Sequence, residues 1–509
     1  MAVIWRICKL LGLLVLTLAA IFLIRTVTFP SMQPQVTKCT PLDTDFIQAD
    51  SGLKKRFKEA IRFQTVTSGM NQTDLKEITR MHEFLERSFP LIHSSPLITK
   101  EVIGGHSLLY MVKGSEPGLA PYMLAAHLDV VPVSNQNWDH PPFEGKEIDG
   151  YIYGRGTIDD KHCVMGIMES LEFRLQHKQA LKRSLYIAFG HDEEGYGNNG
   201  AAVIAQKLEE RHMKFDFILD EGTIVAHNVF KGLNTPVGLI SVVEKGIVTL
   251  NLSVDAVPTG HSSMPTPESN IGILAKALDR IETQRQPIMF GYGPEREQFE
   301  YLADEVQFPL RVIVTNLWFF RPLLGWVLTK LGPSTNAFAR TTTAVTMING
   351  GFKTNVLPPS AWAIVNHRIH PSQTIAQVME HDRNVINDNR VRMSVISGTE
   401  PSPISSFGED SFGFQVVAQS IRQVFSPVLV TPSVMIGNTD TRHYWNLADD
   451  IYRFAPTIAM GPEDLKRFHG INERISVKNY EKAVNFFYHV MHNADQITLH
   501  PSHSHSGEL

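Results

Sequence analysis

Cysteine is nearly missing: three residues in 509, at Cys8, Cys39 and Cys163. That excludes a disulfide-built scaffold and a structural zinc site made of thiolates. Outside the N-terminal segment only Cys39 and Cys163 remain to pair, and spacing alone does not decide whether they do. An excess of either charge is missing too. A formal net charge of -5 leaves no basic footprint for nucleic acid. No repeat recurs at a fixed period and no long low-complexity run occurs, which excludes solenoids and extended disordered tracts. What is present is ordinary globular chemistry, 43% apolar and 19% charged. The length exceeds one typical core, so two domains are expected.

The long apolar run stands at the N-terminus. In "MAVIWRICKLLGLLVLTLAAIFLIRTVTFP", Arg6 and Lys9 precede an uncharged stretch over 10–24. Fifteen residues suit a signal-peptide core and fall short of a bilayer span. Arg25 follows and no small-x-small cleavage site does, so residues 1–25 read as a signal peptide or a retained signal-anchor. Either way the chain is expected on the secretory route, secreted and extracellular. Sequons at Asn71 and Asn251 are glycosylation candidates on that route. The terminal "HPSHSHSGEL" (500–509) reads as solvated, with 504–509 a tail beyond the last catalytic part.

The chemistry sits where apolar strands end. "PYMLAAHLDVVPV" runs apolar and then presents His127 and Asp129. "YIYGRGTIDDKHC" is a strand and glycine turn leading to Asp159 and Asp160, followed by the helical pattern "CVMGIMESLEFRLQ". "RSLYIAFGHDEEG" ends in Asp192, Glu193 and Glu194. "FDFILDEG" repeats the arrangement with Asp220 and Glu221. Strands alternating with helices predict an α/β domain with a mostly parallel sheet. Ligands of such sheets bind beyond the carboxyl ends of the strands, so four polar clusters can converge. That many carboxylates in one place repel unless a cation neutralises them. Asp, Glu and His together suit zinc, or less specifically manganese or cobalt. Adjacent glutamates suggest two metals sharing a carboxylate and a water, with one glutamate left free as a base. A lone His-x-Asp or acid pair is commonplace in solvated turns; the ordered set is not.

The blocks "AAHLDVVPV", "GRGTIDDK", "HDEEGYG", "LDEG" and "RFHGINERI" resemble the signature blocks of a zinc metallopeptidase family that includes aminoacylase, carnosinase and bacterial glutamate carboxypeptidase. The resemblance covers nearly all of the chain after about residue 50. It implies two Zn(2+) ions per subunit. His127 would bind one zinc, oriented by Asp129, and Asp159 would bridge both. Glu193 would be the general base and Glu194 a ligand of the zinc not held by His127. Either Asp220 or Glu221 would be the next ligand, with a slight preference for Asp220. His469 would close the set.

Residues 243–398 read as an inserted α+β domain between two catalytic parts, 26–242 and 399–503. "EKGIVTLNLSVDA" and "AWAIVNHRIHP" alternate as strands; "NIGILAKALDRIET" and "TIAQVMEHDRNVI" have helical spacing. In the family this is a lid or dimerisation domain, so a homodimer is among the expected partners. "PTGHSSMP" would place His261 at the substrate carbonyl oxygen, in some relatives from the partner subunit. Substrate recognition is expected from Arg442, then Arg368, Asn355 and Asp440, because arginine grips carboxylates bidentately. Asn366, in "NHR", stands where many relatives carry an acid, which weakens the carry-over to Arg368.

The apolar stretch 308–332 carries Trp318, Phe319, Phe320 and Trp326, broken by Arg311 and Arg321. It reads first as a lid helix packed in a core or dimer interface. The sharper alternative is an acyl-chain wall or a patch for a lipid or lipoprotein surface. The resemblance implies an amidohydrolase that splits N-acyl amino acids, and joins fatty acid and amino acid in reverse. A peptide-cleaving carboxypeptidase or dipeptidase is the alternative, and a non-catalytic secreted binding protein a more distant one.

Overall fold

The computed structural model describes residues 2–34, 47–133, 137–228 and 232–496. Its largest sheet has eight strands, in the order Ile98–Ile103, Ser107–Val112, Leu185–Gly190, Tyr122–His127, Ile218–Ala226, Ile451–Ala459, Val237–Glu244 and Leu429–Met435. The centre is parallel: Tyr122–His127 runs alongside both its neighbours, and Ile451–Ala459 runs with Ile218–Ala226. Antiparallel pairs close the Ile98–Ile103 edge.

Alternation along the strands decides the layers. Tyr122, Leu124 and Ala126 enter a core built with helices Ser51–Ile61, Leu75–Ser88, Lys161–Gln176, Phe412–Phe425 and Val477–Gln496. Met123 and Ala125 point the other way, onto helix Ala201–Glu210 and residues 444–451. Both faces are therefore covered, which leaves the sheet's ends as the place for polar chemistry.

A second sheet of four antiparallel strands has the order Thr342–Gly350, Ala361–Ile369, Gly246–Val254, Arg392–Thr399. Helices Asn270–Thr283 and Ile375–Ile386 pack on it. The chain leaves the large sheet at Glu244 and starts the second at Gly246. The strands flanking the excursion, Val237–Glu244 and Leu429–Met435, are parallel neighbours. At the crossing, a Cβ on Gly246 would lie 2.6 Å from Pro401 N and 2.8 Å from Thr399 O, so only glycine lets the outgoing and returning chains pass.

Three features depart from the sequence reading. The stretch 308–332 is not one lid helix. It forms Leu310–Thr315 and Leu317–Leu331, broken at Asn316. Val314 packs with Val237, Leu302 and Leu429 at the large sheet's edge, while Leu317 and Leu328 pack with Phe290 and Ala339. Apolar composition demanded cover but did not say which layer would give it. The N-terminal helix runs Ala2–Thr28 and so includes Arg25. Asn251 lies in the central strand of the second sheet, paired on both sides, with its amide oxygen buried. That placement is unsuited to a glycan, whereas Asn71 lies in an exposed turn. Cys163 is a buried free thiol; Cys39 and the tail 504–509 lie outside the described residues.

Candidate metal centre

Register sets the height of each acid. His127 ends its strand opposite Gly190, so the acids that follow Gly190 start beside the imidazole. Met123 pairs with Ile218 and Leu124 with Leu219, which brings Asp220 and Glu221 to the same level although their strand continues to Ala226. These acids therefore sit within a strand, not beyond its end. Opposite them Arg453 pairs with Asp220 but Phe454 pairs with Thr223, so Glu221 and Gly222 form a bulge. Gly222 has φ 153°, and a Cβ there would lie 2.5 Å from the Arg453 Cβ. The bulge frees Glu221 from strict alternation. Asp159 arrives on the loop before helix Lys161–Gln176. The Lys161 ammonium of that block is buried and donates to the carbonyls of Ala60 and Phe63, at 3.1 and 2.6 Å; burial pushes its pKa down to about 7.

Two histidine ends share one carboxylate. His127 Nε2 lies 3.0 Å from Asp159 Oδ1 and 3.4 Å from Glu221 Oε1. His469 Nε2 lies 3.0 Å from Asp159 Oδ2 and 3.2 Å from Glu194 Oε1. Asp129 is buried beneath. Its carbonyl lies 3.0 Å from His127 Nδ1, and its carboxylate accepts the backbone N–H groups of Glu193 (3.1 Å) and Glu194 (3.2 Å). One side chain thus sets both the acid pair and the imidazole. Asp220 faces away: it accepts the Glu221 N–H at 2.9 Å, and its other oxygen is buried without a partner. The geometry favours Glu221, against the slight preference for Asp220.

Charge at this end is unbalanced. Burial and the neighbouring Asp159 charge push Glu221 up to about 8. Burial, then Glu221, raises Glu193 well above the carboxylate range. Hydrogen bonds donated to Asp159 and Glu194 lift His469 to about 10. For Asp159, burial opposes ionisation, but hydrogen bonds from both histidines outweigh it and hold its pKa low. Carboxylates crowded this closely favour their protonated forms unless a cation neutralises them. Buried oxygens without hydrogen bonds on Asp160 and Asp220 point the same way. Donor atoms of Asp159, Glu194 and His469 lie within 4.8 Å of one another, as do those of His127, Glu193 and Glu194. The residues fit metal cations.

The recognition candidates scatter. Arg442 Nη2 donates to Glu193 Oε1 at 3.2 Å, so it reaches the acid loop directly. Arg368 donates to Asn438 at 2.6 Å; burial and the nearby Arg442 charge lower its pKa. Asp440 is buried under the loop, where Cβ atoms on Gly190 and Gly197 would lie 2.6 and 2.1 Å from its oxygens. That makes it a support for the loop and not an exposed substrate contact. His261 and Asn355 meet on a small ribbon, where His261 pairs with Val356 and Ser262 N donates to the Asn355 carbonyl. His261 is exposed with Nδ1 2.7 Å from Ser263 Oγ. Among the described residues no hydrogen bond or ion pair ties it to the acid cluster.

Two further residues matter that the sequence did not single out. Glu473, inside the "RFHGINERI" block, is fully buried and accepts Arg155 Nη1 at 2.6 Å and Ile158 N at 2.8 Å. Arg155 also donates to the His469 carbonyl at 3.2 Å. The pair clamps the Asp159 loop to the His469 turn. The only available signal was an acid and an arginine lying inside two ligand blocks.

A family model described as peptidase family M20/M25/M40 matches residues 123–493. The chain is 45% identical over 501 residues to an N-fatty-acyl-amino acid synthase/hydrolase PM20D1 of Xenopus tropicalis, covering 98% of this chain and 97% of that one. It is 40% identical over 492 residues to a probable carboxypeptidase S-like 2 of Dictyostelium discoideum, covering 95% and 93%. Among solved structures, the M20 family metallo-carboxypeptidase Sso-CP2 of Sulfolobus solfataricus superposes with a TM-score of 0.60 at 18% identity, over 88% of this chain and 100% of that one.

Proposed function

The chain belongs to peptidase family M20/M25/M40, and from that premise we propose a two-metal amidohydrolase that splits N-fatty-acyl amino acids and, in reverse, forms them. The observation that carries the two-metal reading is Asp159, one carboxylate with an oxygen toward each of two histidines. We assign His127 and Glu221 to one ion, Glu194 and His469 to the other, and Asp159 to both. Imidazole and carboxylate without thiolate suit zinc. Bound there, the ions supply Lewis acidity that activates water and polarises the amide carbonyl.

The remaining steps belong to the chain's own groups. Glu193 takes a proton from the attacking water and returns it to the leaving nitrogen. Burial, and then the Glu221 charge, raise its pKa, which strengthens it as a proton acceptor once ionised. Arg442 holds that carboxylate and, with Arg368 beside it, offers positive charge for the substrate's carboxylate. His261 is assigned to the oxyanion, brought in by movement of the inserted domain, 243–398, or by a second copy of the chain. The reverse condensation passes through the same transition state. The N-terminal helix would direct the chain to the secretory route.

The substrate class rests on the relatives named as N-fatty-acyl-amino acid synthase/hydrolases. The carboxypeptidase S-like relative favours peptides as a second reading. Purified protein, zinc-loaded and then chelated, is offered an oleoyl-amino acid and a dipeptide of the same amino acid. Zinc-dependent release of oleate, with the dipeptide left intact, is expected. Cleavage of the dipeptide alone would keep the metals and replace the substrate class.

A further inference from the structure

Helix Ala2–Thr28 is long and apolar enough to cross a membrane. Most of its length touches nothing: Leu10, Leu13 and Leu16 are each more than 60% exposed. Its last turn behaves differently. Thr26 is fully buried, with Oγ1 2.9 Å from Thr315 Oγ1. Asn316 Nδ2 donates to the Phe22 carbonyl and to Thr26 Oγ1, at 3.3 and 3.2 Å. Arg25 Nε donates to the Thr315 carbonyl at 2.6 Å. The Phe22 ring lies 5.1 Å from both Phe319 and Phe320 and 5.9 Å from Trp318.

No loose linker follows. Phe29 packs against the Val314 and Leu302 cluster. Gln33 exchanges two hydrogen bonds with the Val430 backbone, at 3.0 and 2.9 Å, on the edge strand of the large sheet. The helix therefore leaves the body in a fixed direction. Beside its exit, helix Leu317–Leu331 exposes Phe319, Leu323 and Trp326, each about half exposed. Spacings of four and three residues put them on one face. Leu317, Gly325 and Leu328 form the opposite face against the body, where a Cβ on Gly325 would lie 2.9 Å from Ile288 Cγ2.

We propose that the N-terminal helix stays with the chain as a bilayer anchor and that the exposed face of Leu317–Leu331 lies on the phospholipid surface beside it. The occupant is a bilayer because the patch adjoins the end of a helix whose exposed length suits hydrocarbon. The uncharged stretch 10–24 rises about 22 Å, and Lys9 and Arg6 can extend beyond it to the far headgroups. Arg25, held by the Thr315 carbonyl, then marks the near surface, and Trp318 and Phe319, packed on Phe22 one turn inside it, lie at the headgroup boundary that indoles favour.

The test uses full-length protein from eukaryotic cells, recovered from membranes and reconstituted into phosphatidylcholine–phosphatidylserine vesicles with brominated acyl chains. The recovered chain is expected to keep its 2–34 segment by intact mass. Bromine quenches indoles near the hydrocarbon, so W318F/W326F should lose at least about half of the lipid-dependent quenching, and W362F none. A chain beginning beyond Thr28 overturns the anchor. A retained helix with quenching unchanged in W318F/W326F overturns the surface placement of the second helix.

Discussion

Asp220 and Glu221 are neighbours in sequence but not in surroundings. In an unbroken strand one would face the site and the other the opposite layer, and "LDEG" does not say which. The bulge opposite Arg453 and Phe454 decides it, because it turns Glu221 toward His127 and leaves Asp220 against the Glu221 backbone. Glu221→Ala should lower bound metal, read as moles of zinc per mole of protein, while Asp220→Ala should leave that ratio unchanged. Because burial lifts Glu221 to about 8 without metal, binding must displace its proton. Apparent zinc affinity should therefore fall as pH drops below about 8. Glu193→Gln should keep the metal yet lower kcat by about 10²–10⁴; normal turnover would remove Glu193 as base. Residue types and their order were legible in the sequence. The bulge was not, since it arises from pairing with a strand some 230 positions away.

Elements with a strong local pattern were the most legible. "NIGILAKALDRIET" coincides with helix Asn270–Thr283, because Ile273, Leu274, Ala277, Leu278 and Ile281 recur at helical spacing and Ser269 caps the start. The stretch 308–332 was not, because an all-round apolar run fixes no partner. Turns that meet only in space were equally hidden, as Arg155 and Glu473 show. Burial lifts Glu473 from 4.5 to about 7, so the folded state holds its proton more tightly than the unfolded chain. That contribution to stability is complete below about pH 4.5 and is lost as pH rises through 7. Glu473→Gln cannot titrate. The wild-type Tm should therefore fall relative to that variant between about pH 5 and pH 7.5. A constant difference would mean that Glu473 is ionised throughout and already balanced by Arg155.

At the scale of the whole molecule, the candidate ligands run from His127 to His469 and come from two strands, a 3-10 turn and two loops. No short piece of the unfolded chain holds them together, so cations that bind the folded site draw the equilibrium toward it. At a free-ion concentration one hundred times Kd the gain is about 2.7 kcal/mol per site. Removing the ions also restores repulsion among Asp159, Glu193, Glu194 and Glu221, which protons can only partly offset. Chelation should therefore lower Tm by several degrees, and zinc should restore it. The loss should be smaller at pH 6 than at pH 8, because protons stand in for metal at Glu221 below about 8. The metal-dependent Tm shift in Glu221→Ala should shrink accordingly, while Glu193→Gln, which removes the base and leaves the proposed ligands, should keep most of it. An unchanged Tm on chelation in all three proteins would mean that this carboxylate cluster is balanced without metal, and the two-metal reading would fall with it.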